Sequence, residues 1–243
     1  MSLHEQALEI FSSVTKVTPN LINFLLKVQE KYLDIPYHNF QHAVYVLQQA
    51  AQLAKQSNLD PQMKLTLYIS AICHDIGHPG TSNKYQELHK TEYYSPLGSS
   101  LERFHFKETC KILKEDNFTG IPLDVLLPNV EALILATDLK NGAGIVRDAE
   151  ALQSPRDHVV TFLRLIMAAS DLYGFTKGFD FAEKECEKLF QEQEMFEVKD
   201  NTPQTTFIKS FCLPKYKCLN SFIDCNEMIS NIEECVKRWS SME

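Results

Sequence analysis

Apolar residues recur at helical spacing along most of the chain. Residues 3–32 contain two such stretches, separated at Thr18-Pro19, where a proline fits the first turn of a second helix. A third helix is predicted over residues 37–56. The most apolar helix is predicted over residues 61–78, and the run at its centre contains neither Gly nor Pro. We expect this helix to be buried and to stop at Pro79-Gly80, since proline cannot continue the hydrogen-bond ladder.

The second half of the chain continues the helical pattern. Residues 79–98 are rich in loop-forming residues, and further breaks fall at Asn141–Gly144 and Asp200–Pro203. Hardly any stretch alternates with a period of two, so strands are not expected. The pattern predicts an all-α fold, a compact multi-helix single domain over residues 1–243. Its further helices are predicted at residues 99–117, 123–139, 157–172, 181–196 (a charged surface helix), 204–212 and 219–239.

Composition narrows the class of protein. The 243 residues carry a net charge of −8, which argues against nucleic acid as the main partner. The amino terminus lacks a basic segment followed by an apolar one, and no apolar run approaches the ~20 residues that span a bilayer. The seven cysteines are irregularly spaced, which is typical of reduced thiols in a cytoplasmic protein. We therefore expect a cytoplasmic protein without a membrane partner; its oligomeric state is not predicted.

Residues that could bind a metal ion or take part in catalysis lie at the end of the most apolar predicted helix. His74 and Asp75 are adjacent, and His78 follows one helical turn later. Burying two imidazoles and a carboxylate is unfavourable unless something pairs them, and a divalent metal ion is a common partner. The simpler alternative is a single hydrogen bond between Asp75 and a histidine at a helix end.

Two other helix ends carry residues of the same kind. His42 lies near the start of the third predicted helix, and Asp171 lies near the end of the helix at 157–172. With His74 and Asp75 they form a set that suits zinc, and Asp75 could bridge to a second, harder ion such as Mg²⁺. His38 is four residues before His42 and is expected on the same helix face, pointing at the reacting group.

These residues stand in motifs that resemble the class I 3′,5′-cyclic nucleotide phosphodiesterases, which belong to the His-Asp metal phosphohydrolases. The likeness extends in the same order over roughly residues 30–240, and a chance match to all of its segments is implausible. It implies a metal phosphohydrolase core at residues 37–240 behind a short helical part at residues 1–36. The segments that carry the resemblance are Tyr37-His38-Asn39-x-x-His42-Ala43, His74-Asp75-x-x-His78-Pro79-Gly80-x-x-Asn83, Leu101-Glu102-x-x-His105, Ala136-Thr137-Asp138, Ala169-Ser170-Asp171-Leu172 and Gln204-x-x-Phe207-Ile208.

The resemblance implies a role for each matched residue. His38 would be the general acid, Gln204 would bond the purine edge, Phe207 would stack on the purine face, and Tyr37 would lie beside the substrate. Zinc would be held by His42, His74, Asp75 and Asp171, and Asp75 would also bridge to Mg²⁺ or Mn²⁺. The side chains expected around these ions and their waters are His78, Glu102, His105 and Thr137.

The activity that the resemblance implies is hydrolysis of cAMP, cGMP or both to 5′-nucleoside monophosphates. A hydroxide activated by two metal ions would attack phosphorus while His38 protonates O3′. A carboxylate should hold the other ring nitrogen of His38, and Glu187 is the candidate. Two alternatives stay open: a His-Asp phosphohydrolase acting on another nucleotide, and a nucleotide-binding protein that has lost turnover.

The chain also departs from the family pattern. The family commonly has a histidine where Ala168 stands, another near Gly142, and a polar side chain near the purine where Gly174 stands. The glycine predicts weak discrimination between adenine and guanine, at most about tenfold. Simpler interpretations remain for single residues, since His105 or Phe207 would by themselves be core residues. Glu102 could be only a helix-start charge, Gln204 only a first-turn residue, and Tyr37 only a positioner of the helix start.

Overall fold

The computed structural model describes residues 1–196 and 203–242. Every regular element in those residues is a helix, which confirms the all-α prediction. Shorter 3₁₀ turns lie at Leu135–Thr137, Leu139–Asn141 and Tyr173–Lys177, and a π-helical turn lies at Ile208–Cys212. The α-helices are α1 (Leu3–Ser12), α2 (Pro19–Lys31), α3 (Phe40–Lys55), α4 (Pro61–Cys73), α5 (Asn83–His89), α6 (Ser100–Glu115), α7 (Leu123–Ile134), α8 (Gly142–Glu150), α9 (Val159–Ser170), α10 (Phe179–Met195), α11 (Gln204–Phe207), α12 (Leu213–Leu219) and α13 (Asn226–Ser240).

Local chemistry fixes where the first two helices begin. Ser2 and Glu5 form a reciprocal capping box at the start of α1. At the start of α2, the Thr18 hydroxyl accepts a hydrogen bond from the Leu21 N–H, and Pro19 occupies the first turn. The break predicted at Thr18-Pro19 is therefore the boundary between α1 and α2.

Three helices at the centre position the candidate site. α4 packs against α3 and α9, which also contact each other. Every residue from Leu65 to Cys73 is buried, so α4 is surrounded by protein on all sides after its first turn. The amino end of α3 and the carboxyl ends of α4 and α9 carry the polar residues that meet in the site.

The end of α4 differs from the prediction. The helix stops at Cys73 rather than at residue 78. The buried hydroxyl of Tyr32 donates to the Ile72 carbonyl at 3.0 Å and accepts a hydrogen bond from the Asp75 N–H at 3.3 Å. In a longer helix, these two main-chain groups would form hydrogen bonds within the helix instead. Gly77 then turns the chain at φ +71°.

Two helices lie where the sequence predicted loops. α5 occupies part of the stretch at residues 79–98, and α8 begins at Gly142, within the predicted break. Glycine lowers helix propensity, but Ile145 and Ala149 of α8 are buried, so packing overrides that preference. The helix predicted to reach residue 139 ends at Ile134 and continues as 3₁₀ turns.

The carboxyl-terminal helices also differ in part from the prediction. The helix predicted from residue 219 begins at Asn226, after a turn in which the Asn220 and Asp224 side chains accept main-chain hydrogen bonds. α10 was predicted as a surface helix, yet it buries Glu185 and Glu192. Of the predicted break at residues 200–203, only Pro203 lies among the described residues.

The cysteine prediction agrees with the structure. All seven cysteines are free, and six of them are buried. Across the described ranges, no helix combines the length and the apolar character that crossing a bilayer requires.

Candidate metal and nucleotide site

Four predicted ligands converge at the ends of three central helices. His42 lies in the first turn of α3, whose amino end is capped by the Asn39 side chain. His74 and Asp75 directly follow α4, and Asp171 directly follows α9. One ligand atom from each of these four residues lies within 4.8 Å of all the others.

The distances describe a tight cluster of two imidazoles and two carboxylates. Asp171 Oδ1 is 3.1 Å from Nε2 of both His42 and His74. Asp75 Oδ2 is 2.9 Å from His74 Nε2 and 3.4 Å from His42 Nε2. These four contacts join residues from the ends of three helices, so the simpler alternative of a single hydrogen bond at one helix end does not describe the cluster.

The donor set of this cluster fits a cation. His74 Nδ1 lies 2.9 Å from the Ala71 carbonyl oxygen, so Nδ1–H donates there and a neutral ring points the Nε2 lone pair at both carboxylates. Lone pairs facing each other repel unless a proton or metal ion lies between them. Burial lowers the pKa of His74, but the charges of Asp75 and Asp171 outweigh burial and raise it well above its ordinary value. Two histidine nitrogens and two carboxylates are a ligand set suited to zinc.

Asp75 also faces a second group of polar atoms. Its Oδ1, the oxygen that does not pair with His74, lies 3.7 Å from His105 Nε2. His105 Nδ1–H donates to the Ile76 carbonyl at 2.8 Å, and its buried Nε2 has no hydrogen-bond partner. Burial lowers the pKa of His105 to about 4, so this nitrogen is an acceptor. An unpartnered acceptor beside a carboxylate fits a water ligand of a second ion, and His78 completes the group.

Glu102 and Thr137 lie on the wall beside that group. Both Glu102 oxygens accept hydrogen bonds from Asn83 Nδ2, at 3.0 and 2.9 Å. Burial, with the nearby charge of Asp138, raises the pKa of Glu102 to about 7. The Thr137 hydroxyl donates to the Ile134 carbonyl at 2.8 Å, which leaves its oxygen as an acceptor toward the cavity.

His38 lies outside the helix on which it was predicted. α3 begins at Phe40 behind its cap residue Asn39, so His38 does not share a helix face with His42. The Asn39 side chain fixes the start of the helix at this point, because it accepts hydrogen bonds from N–H groups of the first turn. The rings of His38 and His42 nevertheless lie 5.9 Å apart, within the same site.

The carboxylate that holds His38 is Glu192, and the prediction of Glu187 was wrong. Glu192 Oε1 pairs with His38 Nδ1, while Oε2 accepts the main-chain N–H groups of Tyr37 and His38 at 2.9 Å each. Burial raises the pKa of Glu192, but these hydrogen bonds outweigh burial and lower it below its ordinary value. Glu187 is exposed on the other side of α10. Glu192 lies three residues after Leu189, on the face that α10 turns to the cavity, and this spacing was the signal that could have identified it.

The His38 ring rests on another histidine. The rings of His38 and His78 stack with centroids 3.9 Å apart and an interplanar angle of 18°. His78 Nδ1 accepts the Gly80 N–H at 3.0 Å, and burial together with the charge of His38 lowers the pKa of His78 well below its ordinary value. A neutral, fixed His78 therefore forms the platform on which the His38 ring lies.

Two adjoining cavities open beside these residues. The larger has an empty volume of about 1460 Å³, and its lining includes Asp75 and Asp171 of the four-residue cluster as well as His38. The smaller has an empty volume of about 660 Å³. The residues that line both are Tyr37, Leu172, Leu189, Gln193 and Phe207.

The residues predicted to hold a purine line the smaller cavity. Gln204 begins α11, and its Oε1 lies 3.7 Å from Cys186 Sγ. The Phe207 ring lies 6.0 Å from Phe175 and 5.3 Å from Phe211, so it is both a wall of the cavity and a packing residue. The Tyr37 ring lies 4.6 Å from the His42 ring and borders both cavities.

A lysine occupies the region of one missing family histidine. A Cβ atom placed on Gly142 would lie 3.1 Å from Lys215 Nζ. Lys215 is 3% exposed and donates a hydrogen bond to the Phe211 carbonyl. The sequence analysis assigned no role to this residue, because a single lysine in an amphipathic helix gives no signal that it is buried.

Comparison with known proteins gives one family. The family described as 3′5′-cyclic nucleotide phosphodiesterase matches residues 37–235. The dual 3′,5′-cyclic-AMP and -GMP phosphodiesterase beta of Plasmodium falciparum is 29% identical, over 91% of this chain and 23% of that protein. The cGMP-specific 3′,5′-cGMP phosphodiesterase 3 of Dictyostelium discoideum is 26% identical, over 91% of this chain and 56% of that protein. The chain thus spans 23% of the length of the first relative and 56% of the length of the second.

A solved structure confirms the fold. The phosphodiesterase domain of the RhoPDE fusion protein from the choanoflagellate Salpingoeca rosetta matches with a TM-score of 0.88 at 20% identity. The match covers 99% of this chain and 90% of that domain.

Proposed function

The chain belongs to the 3′5′-cyclic nucleotide phosphodiesterase family, and from this premise we propose that it hydrolyses cAMP, cGMP or both to the 5′-nucleoside monophosphates. The observation that carries the proposal is the adjacency of three groups in one pair of joined cavities. These are the cluster around Asp75, the His38–Glu192 pair and the cavity lined by Gln204 and Phe207.

We propose that two metal ions occupy the larger cavity. Zinc would be bound by His42, His74, Asp75 and Asp171, and Asp75 would use its other oxygen for Mg²⁺ or Mn²⁺. When bound, the two ions would acidify a water molecule and neutralise charge on the phosphoryl oxygens. His78, Glu102, His105 and Thr137 line the same cavity or contact its ligands, where they can hold water molecules in place.

His38 is the proposed general acid. Its Nδ1–H donates to Glu192, so Nε2 is the ring nitrogen left to exchange a proton with substrate. Protonation of the departing O3′ by Nε2 avoids expulsion of an unstabilised alkoxide. The stack on His78 and the three hydrogen bonds to Glu192 hold the ring in one orientation, so little reorganisation is needed at the moment of transfer.

The smaller cavity is the proposed base site. Gln204 and Phe207 are the first and last residues of the one-turn helix α11, so an amide and an aromatic ring border the same space. Tyr37 lies between the two cavities and would contact the substrate between its base and its phosphate. A mononucleotide spanning both cavities would place its phosphate near Asp75 and its base near Phe207.

One assay separates this proposal from its alternatives. Purified protein is incubated with cAMP and with cGMP, with and without a chelator, and the products are identified by chromatography. Release of 5′-nucleotides that stops on chelation supports the proposal. Hydrolysis of a deoxynucleoside monophosphate instead would identify another His-Asp phosphohydrolase, and binding without turnover would identify a nucleotide-binding protein.

A cytoplasmic location is also proposed, and the seven free cysteines support it.

A further inference from the structure

A carboxylate borders the proposed base site. Glu185 projects from α10 into the wall of the smaller cavity, which Gln204 and Phe207 also line. The residue is only 7% exposed, and most of its neighbours in that wall are apolar. A Cβ atom placed on Gly174 would lie 3.7 Å from Glu185 Cβ, so the glycine packs directly on this side chain. A buried carboxylate is rare unless it is paired or serves a ligand.

The known contacts of Glu185 leave it able to accept more hydrogen bonds. Oε2 accepts the Tyr173 hydroxyl at 2.8 Å, and Oε1 accepts Lys188 Nζ at 2.6 Å. Both partners donate hydrogen bonds, so Glu185 acts only as an acceptor in these contacts. An ionised carboxylate has about four lone-pair sites, and these two contacts use two of them. The remaining sites suit a ligand that brings N–H donors.

The Gln204 side-chain amide can act as a hydrogen-bond donor, in contrast to Glu185. Gln204 Oε1 faces the Cys186 thiol, which is a donor, at 3.7 Å. Burial raises the pKa of Cys186 to about 12, so the thiol keeps its proton. With its oxygen directed at Cys186, Gln204 has its NH₂ group as the part of the amide that can donate to a base in the cavity. Gln204 and Glu185 therefore offer the cavity a donor group and an acceptor group, respectively.

This pair complements guanine better than adenine. The Watson–Crick edge of guanine carries the O6 acceptor beside the N1–H and N2–H₂ donors, whereas adenine carries a donor beside the N1 acceptor. A carboxylate facing adenine N1 would bring two lone pairs together, and a buried polar group left unpaired is costly. We propose that Glu185 determines base preference, and that the site takes guanine, as in cGMP, in preference to adenine. This inference rests on the proposed function of the two cavities.

The inference replaces the weak discrimination that the sequence predicted from Gly174. That prediction considered only the missing side chain after Asp171. The structure shows that the space beside the glycine is bordered by a carboxylate from a different helix, eleven residues further along the chain. Since the absence of one polar side chain can be offset by another, the residue that reads the base need not occupy the same sequence position.

The test compares three substrates in three proteins. kcat/KM is measured for cGMP, cAMP and cyclic IMP, which lacks the N2 amino group, in wild type, Glu185→Gln and Glu187→Gln. Wild type should prefer cGMP to cAMP by more than tenfold, with cyclic IMP between them. Losing a hydrogen bond to a charged group costs about 10- to 100-fold, so Glu185→Gln should reduce the cGMP preference by that factor and leave cAMP nearly unchanged. Glu187→Gln removes the same charge from an exposed position of α10 and should change nothing.

The outcomes distinguish this inference from the proposed function. Turnover with equal kcat/KM values in wild type, or an unchanged preference in folded Glu185→Gln, overturns the role of Glu185 and leaves the phosphodiesterase proposal intact. Absence of turnover on all three substrates overturns the proposed function; calorimetric binding of the same nucleotides then tests the base preference separately. Should Glu185→Gln fail to fold, the wild-type comparison of cGMP with cyclic IMP and cAMP still decides, because the carboxylate predicts that order and equal values refute it.

Discussion

Glu192 holds His38 at two points, accepting the ring nitrogen Nδ1–H with one oxygen and the His38 main-chain N–H with the other at 2.9 Å. The second oxygen also accepts the N–H of Tyr37, so the carboxylate fixes the chain segment as well as the ring. A ring fixed in this way has one tautomer in its neutral form and one nitrogen directed at the cavity. Position and protonation of the proposed acid therefore depend on a residue more than 150 positions away in the sequence.

Glu192→Gln should lower kcat by roughly 10- to 100-fold, the usual effect of removing a partner that orients a functional histidine. The glutamine can still accept main-chain N–H groups, so the fold should be kept while the ring loses its anionic partner. Steady-state kinetics with cGMP and cAMP measure the change. Glu187→Gln on the same helix is the control, and an equal loss in both variants would remove the special role of Glu192.

His38→Ala should lower kcat by about 10²- to 10⁴-fold while metal content and fold stay intact. The reason is that O3′ is a poor leaving group until it is protonated. A nitrophenyl phosphodiester, whose leaving group is a weak base, should lose far less activity. Measuring both substrates in the same preparation gives the test, and equal losses would mean that His38 is structural or a metal ligand.

Asp75→Ala and Asp171→Ala should both abolish turnover and lower bound zinc, because each removes an anionic ligand. Asp75 faces both groups of polar atoms, so its variant should also lose the second ion. Leaving the remaining charged ligands buried and unpaired should cost about 3–5 kcal/mol of unfolding free energy. Elemental analysis gives the metal content, and thermal unfolding gives the stability.

A chelator provides the control for these metal variants. It should destabilise wild type, but it should destabilise Asp75→Ala much less, since that variant has little metal to lose. Asp148→Ala, at a half-exposed carboxylate of α8, should behave like wild type in every measurement. Turnover by either ligand variant in metal-free buffer would contradict the proposal of a metal-dependent hydrolase.

Glu102 should make the metal-free protein less stable as the pH rises. Its folded-state pKa is raised from 4.5 to about 7 by burial and by the charge of Asp138. The folded state therefore holds a proton that the unfolded state releases, and stability is lost as the pH rises from 4.5 through 7. Glu102→Gln removes this term, so the variant should match wild type near about pH 5 and exceed it by about 1–3 kcal/mol at about pH 8. Denaturant unfolding at the two pH values tests this, and a variant less stable than wild type at both would contradict it.

The sequence predicted the parts of the fold that local patterns determine. The capping residues and the apolar run of α4 are local, so the helices at α1 to α4 were found, and every predicted zinc ligand lies in one cluster. The end of α4 was missed because the hydroxyl of Tyr32, the residue that follows α2, forms hydrogen bonds with main-chain groups at that end. A contact of this kind between distant residues leaves no periodic signal.

The same reason explains the residues that sequence reasoning missed in the site. Glu192 was missed in favour of Glu187 because α10 is rich in glutamate, and only its packing against the cavity selects one. Glu185 was missed because its role depends on its closeness to Gly174 and Gln204. α8 was missed because two glycines outweighed its buried face in the pattern. In each case packing between separate helices decided the outcome.

Phe207 stands between two roles, and its substitution can separate them. The ring centroid lies 6.0 Å from that of Phe175 and 5.3 Å from that of Phe211, yet the residue also borders both cavities. A base stacked on an aromatic ring gains about 1–3 kcal/mol in single-stranded nucleic acid binding. Phe207→Ala should therefore raise KM by about 5- to 150-fold with a much smaller change in kcat. Phe211→Ala, which removes a packing partner but does not line either nucleotide cavity, should lower the thermal midpoint without raising KM. If both variants lose similar stability and neither changes KM, the Phe207 ring belongs to the core and the purine binds elsewhere.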